Sequence, residues 1–294
     1  MSIIEKRKHF KTTLHERGIV LPGAYNALTA LQIERAGFEG VYISGAALSA
    51  SAGIPDIGLL NLHEFIFFMK YITQSVDLPC IADADTGFGS IVNVVRTVEE
   101  YESIGLCGLH IEDQIMPKRC GHLQGKTLVD ESEMMAKIQA ACGSRKDRNF
   151  LIIARTDARS VEGLEAAIKR ANRYVEAGAD AIFPEALQSK EEFEVFAKAV
   201  NVPLLANMTE FGVSPLMSSK ELLEMGYRII IFPVTALRAT MKTTENLYQT
   251  LRIHGSQKDF LKKMQTRDEL YDLINYDSFA AMDKKIANYK KKTK

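Results

Sequence analysis

Short runs of apolar and β-branched residues recur along the chain at positions 19–22, 40–44, 79–83, 108–112, 150–155, 180–184, 202–207 and 228–232. Between them lie longer stretches, such as 90–104 and 161–177, in which apolar residues return every three or four positions. The first pattern has the length of a buried strand and the second the period of an amphipathic helix, so their alternation predicts parallel βαβ units. Gly37, Gly105, Gly178 and Gly226 each stand between a helical stretch and the next strand, where a left-handed glycine ends a helix. Eight such repeats predict an α/β protein built as a (β/α)8 TIM barrel. A doubly wound sheet would usually bring a glycine-rich phosphate turn after its first strand, and Pro22-Gly23-Ala24-Tyr25-Asn26 is not one. The eighth helix is expected at 236–254. Helical patterns at 258–264 and 267–275 then run on beyond what a barrel requires, and the basic run 284–294 reads as a solvated, frayed end. The expectation is one domain over 1–294, with 236–294 a helical tail that packs across the mouth or on a neighbouring subunit.

Composition narrows the partners. The 37 Lys and Arg balance the 37 Asp and Glu, which removes the basic footprint of a nucleic-acid or membrane-surface binder. No run approaches the ~18 apolar residues of a membrane helix, and residues 1–10 carry Lys and Arg with no apolar stretch behind them. The expectation is a cytoplasmic protein with a small-molecule substrate and no nucleic-acid or membrane partner. Cys80, Cys107, Cys120 and Cys142 form no CxxC or zinc spacing and should be reduced.

In a parallel barrel the chemistry sits at the C-terminal ends of the strands. Those ends are rich in polar residues: Tyr42-Ile43-Ser44-Gly45, Asp83-Ala84-Asp85, His110-Ile111-Glu112-Asp113, Arg155-Thr156-Asp157, Pro184-Glu185 and Asn207-Met208-Thr209-Glu210. Alternation along a strand would put Asp83 with Asp85, and His110 with Glu112, on one face. Gathered carboxylates repel unless a cation neutralises them, and an all-oxygen set suits Mg2+, or Mn2+, better than Zn2+. The plain alternative is that Asp83 and Asp85 merely cap the next helix or satisfy loop amides. In the loop Lys118-Arg119-Cys120-Gly121-His122, a thiol among two cations and an imidazole is expected to have a depressed pKa and to give and take protons near neutrality. Lys118 itself reads most simply as a solvated lysine. Arg155, ending a buried strand, has the fork to hold a carboxylate.

The strings Asp83-Ala84-Asp85, Gly87-Phe88-Gly89, His110-Ile111-Glu112-Asp113-Gln114 and Lys118-Arg119-Cys120-Gly121-His122 resemble the isocitrate lyase and phosphoenolpyruvate mutase superfamily. The resemblance covers nearly the whole chain, tail included, and the Lys-Arg-Cys-Gly-His string points to its lyase branch. It implies a (β/α)8 barrel whose last helix is exchanged between paired subunits of a homotetramer. It also implies Mg2+-dependent cleavage of a tricarboxylate, (2S,3R)-2-methylisocitrate, to pyruvate and succinate. By analogy Asp83 and Asp85 hold the metal with Glu112 behind them, and Ser44, Gly45 and Ala46 bind the pyruvate-forming end. Cys120, Gly121, Arg155, Glu185, Asn207, Met208, Thr209, Arg238 and Arg267 line the rest. Cys120 would protonate the carbanion, with Lys118 and His122 beside it in the catalytic loop; Tyr42 and a metal-linked carboxylate are both candidates for the base. Phe183 and Ile231 are candidates for a methyl pocket. One departure is Ser44-Gly45-Ala46-Ala47, where the family has three glycines after the serine, and alanine disfavours positive φ. Alternatives are isocitrate or 2,3-dimethylmalate cleavage, phosphorylmutase or oxaloacetate decarboxylase chemistry, and a barrel that binds without catalysis.

Overall fold

The computed structural model describes residues 1–292. Among them are eight strands: β1 (Ile19–Pro22), β2 (Val41–Ile43), β3 (Cys80–Asp83), β4 (Gly108–Glu112), β5 (Leu151–Thr156), β6 (Ala181–Pro184), β7 (Leu205–Asn207) and β8 (Ile229–Phe232). Every strand expected from the sequence is present. β7 is shorter than expected because it starts only after Pro203, which has no N–H to give a ladder. All pairings are parallel, in a three-stranded sheet of order β1-β8-β7 and a five-stranded sheet of order β2-β3-β4-β5-β6. Single parallel bridges, Gly23 with Tyr42 and Ile182 with Leu204, link the two sheets at both seams.

The helices that follow are α1 (Ile3–Glu16), α2 (Ala27–Arg35), α3 (Gly45–Ser51), α4 (Leu62–Ser75), α5 (Ile91–Ser103), α6 (Glu131–Ser144), α7 (Leu164–Glu176), α8 (Lys190–Ala199), α9 (Ser219–Glu224), α10 (Thr235–His254), α11 (Arg267–Leu273) and α12 (Tyr276–Lys292). Gly37, Gly105, Gly178 and Gly226 all have φ between 83° and 109°, as their helix-ending role requires. Helix α1 has no counterpart among the sequence expectations. Its apolar positions are sparse, and its sequence mark is the reciprocal Ser2–Glu5 capping box.

Strand side chains divide into two apolar clusters, one on each face. Val41, Ile43, Ala82, Leu109, Ile111, Ile152, Ala154, Ile182 and Ile230 face the helices. Leu21, Tyr42, Ile81, Ile153, Phe183, Leu205, Ile229 and Ile231 form an interior cluster shared by both sheets, joined by Phe10 and Leu14 of α1. Burying each Val, Leu, Ile or Phe among them contributes ~1.5–3 kcal/mol, so both faces of the strands are committed.

The chain divides into two compact units, Met1–Leu237 and one from Arg238 onward. The second unit holds most of α10, a 3-10 turn at Lys258–Lys263, α11 and α12. The 3-10 turn replaces the helix expected at 258–264. Residues 284–292, expected to fray, continue α12, and the last two residues of that basic run lie outside the described residues. Phe260 and Leu273 are buried, whereas Met241, Tyr248, Ile253, Phe279 and Met282 are exposed. No helix among the described residues is long and apolar enough to cross a membrane.

Candidate active site

The interior face of the strands is apolar along its length and turns polar at the C-terminal ends. Two residues beyond Tyr42, Ile81, Ile153, Phe183 and Leu205, the same face presents Ser44, Asp83, Arg155, Glu185 and Asn207, and β4 adds His110 and Glu112. Register keeps these groups level: Asp83 pairs with His110, Glu112 with Arg155, and Arg155 with Phe183. Asp85 arrives differently from the expected alternation. The strand stops at Asp83, and Asp85 takes φ 44° while its N–H donates to Asp83 Oδ1 at 3.0 Å. A left-handed turn, not the pleat, brings the two carboxylates together.

Arg155 is the hub. Its Nε and Nη2 donate to Asp157 at 2.9 and 3.1 Å, Nη1 lies 3.2 Å from Glu112 Oε2, and Nη2 lies 3.4 Å from Glu185 Oε2. The guanidinium also sits 5.2 Å over the Phe183 ring, which is therefore part of the floor beneath the charges. Lys118 is the second cation, and it is buried, not solvated as its sequence setting suggests. Its ammonium bonds Asp56 and lies 2.8 Å from Asp85 Oδ1. Burial disfavours its charge, but Glu112, Asp85, Asp83 and Asp56 around it raise its pKa.

The carboxylates are not alike. Burial works against the Asp83 anion, yet Lys118, Arg155 and the Asp85 N–H hold its carboxyl below the usual range. Burial works against Glu185 too, and there Arg155 and His122 outweigh it. Asp85 is pushed up to about 7 by burial, only partly relieved by Lys118, and burial carries Glu112 well above the carboxylate range despite Arg155. Burial takes His110 down to about 4, so it is neutral at neutral pH and its 3.6 Å approach to Asp83 is no ion pair. His110 Nε2 instead meets the Tyr42 hydroxyl at 2.8 Å, and burial pushes the Tyr42 phenol far up.

The Lys118–His122 loop lies over this group. His122 Nδ1 accepts the Val213 N–H at 3.1 Å, which leaves the proton on Nε2, 3.0 Å from Glu185 Oε1. A Cβ on Gly121 would stand only 2.6 Å from Arg155 Nη2 and would collide with Glu185, so only glycine lets the loop settle here. The Cys120 thiol corrects the sequence expectation. Its pKa is raised: burial outweighs the His122 N–H, and Lys118 and His122 are already engaged with carboxylates. The thiol therefore stays protonated at neutral pH, which suits a donor and not an acceptor.

Ser44 caps α3, its Oγ accepting the Ala47 N–H at 3.3 Å. Gly45 N–H reaches Asp83 Oδ2 at 3.2 Å, and a Cβ there would crowd that oxygen at 2.9 Å. Ala46 and Ala47 lie in the helix with ordinary φ, so their replacement of glycine carries no backbone strain. Asn207 Nδ2 lies 3.4 Å from both Glu185 oxygens; Met208 is buried and Thr209 half-buried beside it. Arg238 and Arg267 are exposed residues of the second unit, on α10 and at the start of α11.

Residues 10–252 match the family model of phosphoenolpyruvate phosphomutase. The chain belongs to this family. Within the phosphoenolpyruvate phosphomutase family it is 53% identical over 269 residues to a 2-methylisocitrate lyase of Aeropyrum pernix, covering 92% of this chain and 87% of the relative. It is 48% identical over 284 residues to a 2-methylisocitrate lyase of Halalkalibacterium halodurans, covering 96% and 94%. Among solved structures it is similar to a 2,3-dimethylmalate lyase with TM-score 0.90 at 35% identity, covering 96% and 95% of the two chains. It is also similar to a phosphonopyruvate hydrolase in complex with oxalate and Mg2+, with TM-score 0.87 at 31% identity, covering 95% and 98%.

The residues present fit a hard divalent cation. Both Glu112 oxygens are buried without a hydrogen bond, and Asp85 Oδ1 has only its ion pair with Lys118. Among the described residues no three His, Cys, Asp or Glu form a metal cage by themselves. A cation here would be completed by water and substrate oxygens, the habit of Mg2+. Asp56, which shares Lys118, and Lys126, which bonds the loop backbone, escape sequence reading; Asp157, which holds Arg155, and Gln114, which also bonds the loop backbone, stand in the strings read above but without these roles. The signals in the chain are that Asp157 follows Arg155 by two positions and that Gln114 closes the string at the end of β4.

Proposed function

We propose that the protein is a carbon–carbon lyase that cleaves (2S,3R)-2-methylisocitrate to pyruvate and succinate with Mg2+, as a step of propionate breakdown through methylcitrate. The observation that carries this reading is a half-buried Cys120 on a loop seated against Arg155 and Glu185, where burial raises the thiol pKa. Relatives named for this activity at 53% and 48% identity support the substrate.

The reaction is a retro-aldol cleavage. A base takes the C2 hydroxyl proton, the C2–C3 bond breaks as C2 becomes a carbonyl, and the electron pair stays on C3 of the succinate half. Tyr42 is the weaker candidate base, since burial raises its pKa and His110 already engages its hydroxyl. The other candidate is a metal-linked carboxylate, Asp83 or Asp85, since Glu112 already holds a proton. Arg155 balances the charge growing on the succinate half, held in place beforehand by Asp157, and such fixed charge is often the largest catalytic effect. Cys120 returns a proton to C3, so one proton leaves and one arrives. Lys118 neutralises Asp85 and Asp56, and His122 ties the loop to Glu185. Ser44, Gly45 and Ala46 receive the pyruvate end; Gly121, Asn207, Met208 and Thr209 complete the substrate shell of the first unit, and Arg238 and Arg267 are the second unit's candidate carboxylate ligands.

Four carboxylates (Asp56, Asp83, Asp157, Glu185) face Lys118, Lys126 and Arg155, and Asp85 and Glu112, which burial raises, add to the excess when they ionise. A tricarboxylate added to that excess would be repelled without a further cation. Bound at Asp83 and Asp85, Mg2+ would supply that charge and polarise the α-hydroxy carboxylate.

The two bridges between the sheets and the shared interior cluster support a closed (β/α)8 barrel. The exposed apolar side chains of the second unit support a tail that packs on a neighbouring subunit, within a homotetramer that exchanges helices. The deciding experiment is turnover of 2-methylisocitrate, isocitrate and 2,3-dimethylmalate with and without EDTA. Metal-dependent preference for the first is expected. Preference for 2,3-dimethylmalate, the substrate named for one structural neighbour, would overturn the substrate assignment.

A further inference from the structure

Residues 115–127 leave β4 as an excursion closed at its base by two backbone bonds, Ile115 N–H to the Thr127 carbonyl at 2.8 Å and Val129 N–H to the Asp113 carbonyl at 2.9 Å. Inside it, the backbone before and after Cys120 is held by side chains. On the N-terminal side, buried Gln114 brackets Arg119: Nε2 donates to the Arg119 carbonyl and Oε1 accepts the Arg119 N–H, both at 2.9 Å. On the C-terminal side, the Lys126 ammonium donates to the Gly121 carbonyl and, from the same nitrogen, lies 2.8 Å from Asp157 Oδ1.

Lys126 is the more telling of the two. Its side chain is only 1% exposed, and burying an ammonium is costly unless a partner and further hydrogen bonds offset it. The partner is the carboxylate that also takes the Nε and Nη2 hydrogens of Arg155. Asp157 is fixed in turn through its backbone, whose N–H donates to buried Asp113 at 2.9 Å, and Asp113 is anchored by Thr156 and Tyr174 at 2.8 Å each. A rigid line thus runs from the α7 packing layer through Asp157 to both the guanidinium and the loop.

We propose that Gln114 and Lys126 are positioning residues for proton return: together they clamp the backbone on either side of Cys120, and Lys126 locks that clamp to the carboxylate that orients Arg155. Proton transfer is sensitive to placement at the ångström scale, so losing the clamp lowers turnover more than substrate binding. This rests on Cys120 being the proton donor, but the clamp itself is readable without turnover.

The test uses the full-length enzyme with Lys126→Met, Lys126→Arg and Gln114→Ala. Two quantities are read: kcat and KM on 2-methylisocitrate, and the rate at which iodoacetamide labels Cys120, resolved by peptide mass. Lys126→Met should lower kcat about 30-fold or more with KM changed less than about 3-fold, and label Cys120 at least about 5-fold faster. Lys126→Arg, which keeps the cation, should recover much of both. Gln114→Ala should reproduce the faster labelling and leaves no buried charge unpaired, so it decides the matter should Lys126→Met fail to fold. Unchanged labelling and kcat in Gln114→Ala would overturn the proposal. Faster labelling in an enzyme that turns over none of the three candidate acids would uphold the clamp and reject the substrate assignment instead.

Discussion

Cys120 shows how a neighbourhood in sequence differs from one in space. Two cations and an imidazole flank it along the chain, a setting that ordinarily stabilises a thiolate. In the fold, Lys118 is taken by Asp56 and Asp85, and His122 by Glu185, so burial prevails and the thiol keeps its proton. A protonated thiol is what the carbanion of the proposed cleavage would need. Replacing it, Cys120→Ser, substitutes a far weaker acid of nearly the same size. The expected result is a fall in kcat of about 10²-fold or more, with Mg2+ affinity by calorimetry within about 2-fold of the parent. Near-normal turnover would remove Cys120 from the acid role.

At the level of elements, the site depends on how closely a loop can approach two strand ends. The excursion after β4 settles on Arg155 at the end of β5 and Glu185 after β6 because Gly121 has no side chain. In Gly121→Ala the methyl would meet Glu185 and Arg155, neither free to move, since Arg155 is held by Asp157 and Glu185 by Arg155 and His122. Loop docking should fail while the strands stand. The expected outcome is loss of at least about 10²-fold in kcat/KM, with a Tm within a few degrees of the parent by circular dichroism. The same logic explains Gly45, whose missing Cβ lets its N–H reach Asp83.

For the whole molecule, the surplus of buried carboxylates makes stability depend on the cation and on pH together. In the metal-free protein, burial raises Asp85 from 3.8 to about 7, so the folded state holds that proton more tightly than the unfolded one. The stability Asp85 contributes is therefore present below its unfolded pKa and is lost as pH rises through about 7. A cation that takes the proton's place reverses the trend, since whatever binds only the folded state stabilises it. Saturating Mg2+ should thus raise Tm more at pH 8 than at pH 6, and its apparent affinity should fall up to about tenfold per pH unit below 7 with release of one proton. Scanning calorimetry and titration calorimetry in two buffers read both. A Tm shift independent of pH would show that Asp85 is not a ligand.

Much of this was legible in the chain. Strand positions follow from short apolar runs and helix ends from four glycines, because both are local consequences of burial and of permitted φ. Ser44, Asp83, His110, Glu112, Arg155, Glu185 and Asn207 could be read as one group because strand period and parallel order place strand ends together. Helix α1 and the 3-10 turn were not legible; one lacks a dense apolar stripe and the other imitates a helical period.

What the sequence determined by itself is therefore the α/β class, the ends of the strands and the residue types gathered there, since each depends on neighbours within a few positions. What only tertiary structure decided is the state of those residues: which carboxylates hold protons, that Lys118 is buried, that His110 is neutral, and that Gln114, Lys126 and Asp157 hold the Cys120 loop against Arg155. The physical reason is that protonation and placement depend on burial and on charges a few ångströms away, brought there from strands and loops far apart in the chain.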